Sequence, residues 1–444
     1  DEASEMDPQQ RIFLEEAWKC VEDAGYAISN LSSTKVGVYV GAMWTMYQLY
    51  GYDSCKKGEF KYENSSLSSI ANRVSYQFNF NGPSITLDTM CSSTLTALYL
   101  ACRDILSNEC EYSIVGGVNL SLHPYKYLDL CDKKFLSTDG LCRSFGEGGD
   151  GYVPGEGVGA ILIKPLRQAI IDRDHIYAVI KGIAINHGGY TGGFTIPNTN
   201  AQADVMLDAL EKANISAEEV TYIETHGTGT ALGDPIEIAG LEKVYGNRKS
   251  RCKIGSIKSN LGHLEAAAGI ASIAKVLLQF KNKRLYPSIN AKILNKSIDW
   301  EASSLELLQD LQEWVSKGPR VSAISSFGAG GSNAHVILEE YQYDYNDIIH
   351  DKENIILISA KTKTSLKNWC IKFYNFLTLN TNDIVTLEQI AYSLQVGRES
   401  FSYKIAFICQ EKQQLIKQIK EYIDTGYAEF SCEDSQNNDF INLL

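Results

Sequence analysis

No stretch of the 444-residue sequence approaches the ~18 uninterrupted apolar residues of a membrane-spanning helix. The first residues, Asp1-Glu2-Ala3-Ser4-Glu5, are acidic where a secretion signal would be basic and then apolar. Membrane insertion and export are therefore not expected. Positive charge is in short supply: 41 Lys+Arg face 54 Asp+Glu, a formal charge of −13, which repels phosphate backbones and argues against nucleic acid as a partner. The 11 cysteines are odd in number and include no C-x-x-C, so they read as reduced, mostly buried thiols of a cytoplasmic chain. Seven histidines contain no H-x-x-x-H or H-E-x-x-H spacing, and no sequence-local zinc site is indicated. With 44% apolar and 21% charged residues the composition is that of a soluble globular chain, long enough for two or three domains.

Strands alternate with helices almost throughout, the pattern of an α/β protein with largely parallel sheets. Residues 7–24 place Ile12, Leu14, Ala17, Trp18 and Val21 at helical spacing, and Gly25 ends the run. Strands are expected at 36–40, 84–87, 113–115, 160–163, 178–182, 220–223, 253–257 and 321–324, several of them Val/Ile-rich as two-sided burial requires. Helices are expected over 92–105, 202–212, 236–245 and 264–280. A polar, tyrosine-rich stretch at 341–354 places a boundary near 341. Beyond it, strands at 355–359 and 403–409 with helices over 364–377 and 387–396 suggest a small separate α/β unit, and 432–444 read as linker.

Two motifs are decoys. Gly146-Glu147-Gly148-Gly149-Asp150-Gly151 matches the dinucleotide fingerprint but lacks the preceding strand and following helix, so it reads as tight turns beside a strand. Ser272-Ile273-Ala274-Lys275 matches S-x-x-K in mid-helix without that hydrolase class's companion motifs.

Chemistry concentrates where strands end. Cys91 follows a short strand on a bend just before a long amphipathic helix, where free amides and the helix dipole favour a thiolate, Ser92 and Ser93 are available as caps, and an oxyanion can be held. His226 lies in Glu224-Thr225-His226-Gly227-Thr228-Gly229-Thr230 and His263 in Lys258-Ser259-Asn260-Leu261-Gly262-His263, each after a strand and before a helix. In open α/β sheets, sites collect outside such carboxyl ends. The loop 325–335, SSFGAGGSNAH, joins two strands and can aim main-chain N–H groups into a cavity. His175, His187 and His350 lack such a context, while His123 and His335 are ambiguous.

Taken together, DTMCSSTLTAL, ETHGTGTALGDPIE, KSNLGHLEAAAG and SSFGAGGSNAH resemble the β-ketoacyl synthase (ketosynthase) family over about residues 1–340. VGVYVGAMWTMYQLYG, INHGGYTGGFTIPNTNAQ and YSLQVGRESF are most like ketosynthases of modular polyketide synthases served by a trans-acting acyltransferase. The resemblance implies a thiolase-like fold: two duplicated α/β halves, 1–163 and 164–340, in an αβαβα arrangement, followed by an adapter at 341–444. It also implies that the chain starts inside the domain, truncated at its N-terminus. Carried over by position, Cys91 is the acyl-accepting nucleophile and His226 and His263 act on the extender thioester. Lys258 supports that pair, and the backbone N–H groups of Cys91 and Ala329 form the oxyanion hole. The implied activity is decarboxylative condensation with malonyl-acyl carrier protein. No metal or redox cofactor is implied, since the phosphopantetheine arm belongs to the partner carrier protein. A homodimer is implied too, with the trans-acting acyltransferase an indirect partner. Arg248, Lys249, Arg251 and Lys253, or Lys281, Lys283 and Arg284, are candidate docking patches for the carrier. A transfer-only ketosynthase, a silent structural partner and a cysteine hydrolase are the competing readings; the presence of both histidines and the cysteine favours condensation.

Overall fold

The structure, a computed structural model, describes residues 2–59, 65–343, 353–379, 385–428 and 430–432. They pack as two units, one of 2–20 with 34–343, the other of 21–33 with the described residues beyond 352.

The first unit holds two sheets. In one, β1 (Val36–Gly41), β2 (Ser84–Leu87), β3 (Tyr112–Asn119) and β4 (Gly157–Ile163) run in the order β2-β1-β3-β4. In the other, β5 (Val179–His187), β6 (Tyr222–Glu224), β7 (Cys252–Gly255), β9 (Leu305–Leu307), β11 (Val321–Phe327) and β12 (Ser332–Glu339) run β5-β12-β11-β6-β7-β9. Between them in sequence, β8 (Arg284–Leu285) and β10 (Gln312–Glu313) form an antiparallel ribbon. The sheets are mixed, which corrects the largely parallel expectation. β1 is parallel to both neighbours, and β6 to β7 and β11, but β4, β12 and β5 pair antiparallel. Strand direction is set by connections, which apolar periodicity does not encode.

Burial explains the strand sequences. All six residues of β1 are buried, so VGVYVG needs no polar alternation. In β3 a Cβ on Gly116 would sit 2.6 Å from the Phe13 ring, and one on Gly117 would sit 2.3 Å from Thr94 Oγ1. Helices Pro8–Asp23 and Ser93–Leu106 thus press on opposite faces of this strand. Between the sheets lie helices Ser93–Leu106 and Ala268–Asn282. Leu95, Leu98, Ile273 and Phe280 join Tyr39 and Val115 of one sheet with Ile324 and Val336 of the other in one core. A fully buried leucine such as Leu98 contributes about 1.5–3 kcal/mol. On the far face of the second sheet, helices Thr199–Ala213 and Gly233–Tyr245 bury Val205, Met206, Ala209, Ile238 and Leu241. The result is five layers, αβαβα, with the strand ends that precede the cysteine and both histidines opening on the same region.

The second unit contains an antiparallel sheet, β13 (Asn354–Ala360), β14 (Tyr403–Cys409) and β15 (Phe430–Cys432). It packs with helices Lys363–Thr378, Leu387–Val396 and Lys412–Thr425 around Ile356, Phe373, Leu394, Ile405 and Ile419. Residues 21–33 belong to this unit: Arg398 donates to the Glu22 carbonyl at 2.9 Å and Ser29 N–H to the Glu399 carboxylate at 3.2 Å. Cys432, read as linker, stands in β15, and residues 433–444 lie outside the described residues.

Candidate active site

β2 leaves the first sheet through a bend in which Asp88 Oδ1 accepts from Met90 N at 2.7 Å and Met90 takes a left-handed φ of 58°. The helix begins at Ser93, so Cys91 sits on the bend. The expected side-chain caps do not form. Ser92 Oγ donates to the Thr89 carbonyl at 2.8 Å and Ser93 Oγ to that of Met90 at 2.6 Å while accepting from Thr89 N. These hydroxyls are consumed in fixing the bend. Across from it, Ser326 Oγ donates to the Cys91 carbonyl at 2.7 Å, which ties the end of β11 to the cysteine.

His263 Nε2 lies 3.1 Å from Cys91 Sγ, and its Nδ1 accepts from Glu265 N–H at 3.0 Å. His226 Nδ1 accepts from Phe327 N–H at 3.3 Å. The rings meet edge to face, centroids 5.3 Å apart. Because an amide donates to each Nδ1, the proton of each neutral ring is assigned to Nε2. The loop that aims His226 is fixed by Glu237, whose carboxylate accepts from His226 N and Gly227 N, both at 2.7 Å. Gly227 (φ 40°) has no room for a side chain, since a Cβ would lie 2.8 Å from the Phe145 ring. Donor atoms of Cys91, His226 and His263 lie within 4.8 Å of one another, a spacing a metal ion could bridge. With both Nδ1 atoms engaged as acceptors, however, the Nε2 lone pairs are used by protons, so this tautomer is arranged to donate rather than to ligate.

Lys258, nearly fully buried, stands behind the three. Burial pushes its pKa down, and Glu224 and Glu237 oppose that. Burial first, and the Lys258 charge second, hold both His226 and His263 well below the ordinary imidazole range. Backbone N–H groups of Ala329 and Cys91 both donate toward Sγ and, with Lys258, favour the thiolate. Burial, followed by the negative charge of Glu265, outweighs them and pushes the thiol up to about 12. The expected thiolate is therefore corrected to a thiol: the rule about helix starts takes no account of the distant segments that close over the sulfur.

The glycine loop carrying Ala329 is supported by a histidine that the sequence reading set aside. Gly189 N–H donates to His187 Nδ1 at 3.0 Å, leaving His187 Nε2–H to donate to the Gly330 carbonyl at 2.8 Å. His335 is buried between Ser325 Oγ and Tyr245 OH, each 3.0 Å away, on β12. Lys275, of the decoy S-x-x-K, is a buried counter-ion 2.8 Å from Glu224. Also missed were Glu265 and Lys126, two charged side chains with essentially no exposure, 2.6 Å apart. Their residue types read as surface positions, and nothing in the local pattern marks them as core. In the proposed docking patches, Arg248 donates to the Val220 carbonyl, Arg251 to that of Glu301, Lys253 pairs with Glu306 and Arg284 with Glu313. Four of those seven charges are thus engaged within the chain.

The chain matches the families described as Beta-ketoacyl synthase, N-terminal domain, over residues 1–169, Beta-ketoacyl synthase, C-terminal domain, over 177–292, and CurL-like, PKS C-terminal, over 354–419. It is 48% identical over 445 residues to polyketide synthase PksL of Bacillus subtilis and 45% identical over 437 residues to polyketide synthase ThaG of Burkholderia thailandensis. Each alignment spans 95% of this chain but only 10% and 8% of those relatives, so the chain covers about a tenth of their length. Among solved structures, an oxazolomycin ketosynthase domain of Streptomyces albus JA3453 superposes with a TM-score of 0.92 at 44% identity, covering 96% of this chain and 75% of that one. The ketosynthase from module 6 of the Bacillus subtilis bacillaene synthase gives 0.88 at 39%, covering 99% and 76%. Fold and relatives together define a thiolase-fold acyltransferase. The chain belongs to the β-ketoacyl synthase family, as a ketosynthase domain of the polyketide synthase kind, most like the trans-acyltransferase type, with its C-terminal adapter.

Proposed function

We propose that this ketosynthase catalyses decarboxylative Claisen condensation in polyketide chain elongation, joining an acyl chain on Cys91 to a malonyl unit delivered by an acyl carrier protein. One observation carries the reading: both His226 and His263 have Nδ1 engaged by a main-chain amide, which leaves two Nε2–H donors beside the sulfur.

In the first half-reaction the sulfur attacks the incoming thioester. The acyl C–S bond to the carrier breaks, one to Cys91 forms, and the proton of the Cys91 thiol ends on the departing pantetheine thiol. The amides of Cys91 and Ala329 hold the transient oxyanion. In the second, the malonyl C–C bond breaks, CO₂ leaves, and the electron pair becomes an enolate whose oxygen accepts from the two Nε2–H groups. The enolate carbon then attacks the acyl-Cys91 carbonyl. A C–C bond forms, the C–S bond breaks, and the released sulfur, with a pKa near 12, takes up one proton. Burial, and after it the positive charge of Lys258, keeps both rings neutral.

In this reading the phosphopantetheine arm belongs to the partner carrier protein, and the chain's own residues supply the nucleophile and the hydrogen-bond donors. The halves 1–163 and 164–340, the adapter from 341, a homodimer, a cytoplasmic location and loading of the carrier by a separate acyltransferase belong to the same reading. Among the described residues no helix is long and apolar enough to cross a membrane.

The test is to load the chain with acyl-pantetheine mimics, locate the added mass, and then supply malonyl carrier protein. Mass on Cys91 followed by CO₂ release supports condensation. Mass without CO₂ would establish transfer alone, and no mass a silent partner.

A further inference from the structure

We propose that Lys126 is a positioning residue: by holding the Glu265 carboxylate in the core, its ammonium keeps the proton of His263 on Nε2. This rests on the donor role given to His263 above, but the tautomer is a separate observable.

Lys126 lies in the first turn of the helix Tyr125–Asp132, and its Nζ lies 2.6 Å from Glu265 Oε2, with side-chain exposures of 0% and 1%. Desolvation opposes burying two such ions, so a buried pair is poor evidence for stability alone and invites a positional role. The carboxylate is surrounded by donors. Trp44 Nε1–H reaches Oε2 at 2.5 Å and Tyr152 O–H reaches Oε1 at 3.1 Å. Lys126 also donates to Asn119 Oδ1 at 3.1 Å and lies over the Trp44 ring, 5.2 Å from its centroid. Three residues, Lys126, Trp44 and Tyr152, thus converge on one carboxylate two positions from His263, and Asn119 braces the ammonium.

The backbone carries the consequence. Glu265 has a φ of 49°, a left-handed conformation unfavourable for a non-glycine residue, which persists only where the surroundings impose it. In this conformation the side chain enters the core while the N–H donates to His263 Nδ1 at 3.0 Å. Tyr152, bonded to the same carboxylate, packs edge-on against the His263 ring at 4.9 Å. Without the ammonium the carboxylate has no counter-charge in the core, and Glu265 can relax toward the right-handed region. Its amide then leaves Nδ1, which can take the proton. Nε2 would face the sulfur as an acceptor and could no longer donate to an enolate oxygen.

The experiment is ¹⁵N NMR of histidine-labelled protein, which reports the protonated ring nitrogen, with His263→Asn assigning the signal. Wild type should show the Nε2–H form. Lys126→Met should move His263 partly or wholly to Nδ1–H, and Lys126→Arg should restore Nε2–H. In parallel, CO₂ release from malonyl carrier protein should fall about tenfold or more in Lys126→Met, while acyl loading of Cys91 stays within about threefold. An unchanged tautomer in Lys126→Met overturns the proposal. Should that variant not fold, Lys126→Gln, which removes the same charge but keeps a polar side chain, is the deciding comparison, and an unchanged tautomer there overturns it equally. A wild type that releases no CO₂ would refute the condensing reading while leaving the tautomer comparison intact.

Discussion

Burial sets the reactivity of Cys91, and the pH dependence of its alkylation shows by how much. The thiol is raised from the ordinary 9.0 to about 12. That difference corresponds to about 4 kcal/mol for charging the sulfur in place, and at pH 8 to a thiolate fraction of ~10⁻⁴. The thiolate is the species that alkylates. The rate of iodoacetamide modification at Cys91, followed by intact mass, should therefore rise about tenfold per pH unit from 6.5 to 9.5, roughly a thousandfold in all. Lys258→Met removes a charge that favours the thiolate and should slow alkylation at every pH without changing the slope. A rate that levels off below pH 9 would refute the reasoning, because the amides of Cys91 and Ala329 and the helix start would then outweigh burial.

Other perturbations have equally direct readouts. His335 is pushed from 6.5 to about 3 by burial, so the unfolded chain binds the proton first as pH falls. The stability associated with its neutral form is present above about 6.5 and is lost on acidification, about 2 kcal/mol between pH 7 and 5, measurable by urea unfolding of wild type against His335→Gln. Lys275→Met leaves Glu224 buried without its counter-ion 2.8 Å away and should cost about 3–5 kcal/mol in the same assay; a loss under 1 kcal/mol would mean that Tyr222 O–H and Ile257 N–H suffice. Gly117→Ala forces a Cβ to within 2.3 Å of Thr94 Oγ1 and 3.0 Å of Ala267 Cα, and should lower the melting temperature through overpacking of about 1–3 kcal/mol.

The parts of the molecule legible in the sequence are those where one local pattern suffices. A continuous apolar run marked β1, and helical spacing marked Pro8–Asp23 and Ser93–Leu106. Glycines around His226 and the bend before Ser93 marked where side chains are presented. The helix Lys412–Thr425 went unread although Leu415, Ile419 and Tyr422 recur at helical spacing, because lysines and glutamines dilute the signal. The antiparallel turns of β4, β5 and β12 depend on connections across the sheets. The thiol state of Cys91 depends on burial under distant segments and on the charge of Glu265, a residue far along the chain. Lys126 and Glu265 escaped for the same reason: a lysine after His-Pro-Tyr and a glutamate before three alanines both look solvent-facing until the fold brings them together.

Two imidazole N–H groups sharing a pocket with one sulfur are the centre of the proposed mechanism, and single-turnover stoichiometry tests them most directly. Chain pre-acylated on Cys91 and mixed with one equivalent of malonyl carrier protein should lose one acyl group, release one CO₂ and yield one β-ketoacyl carrier protein for each acyl-Cys91 consumed. Acyl-Cys91 that persists, or that disappears by hydrolysis or return to the carrier without CO₂ and without a β-keto product, would contradict it.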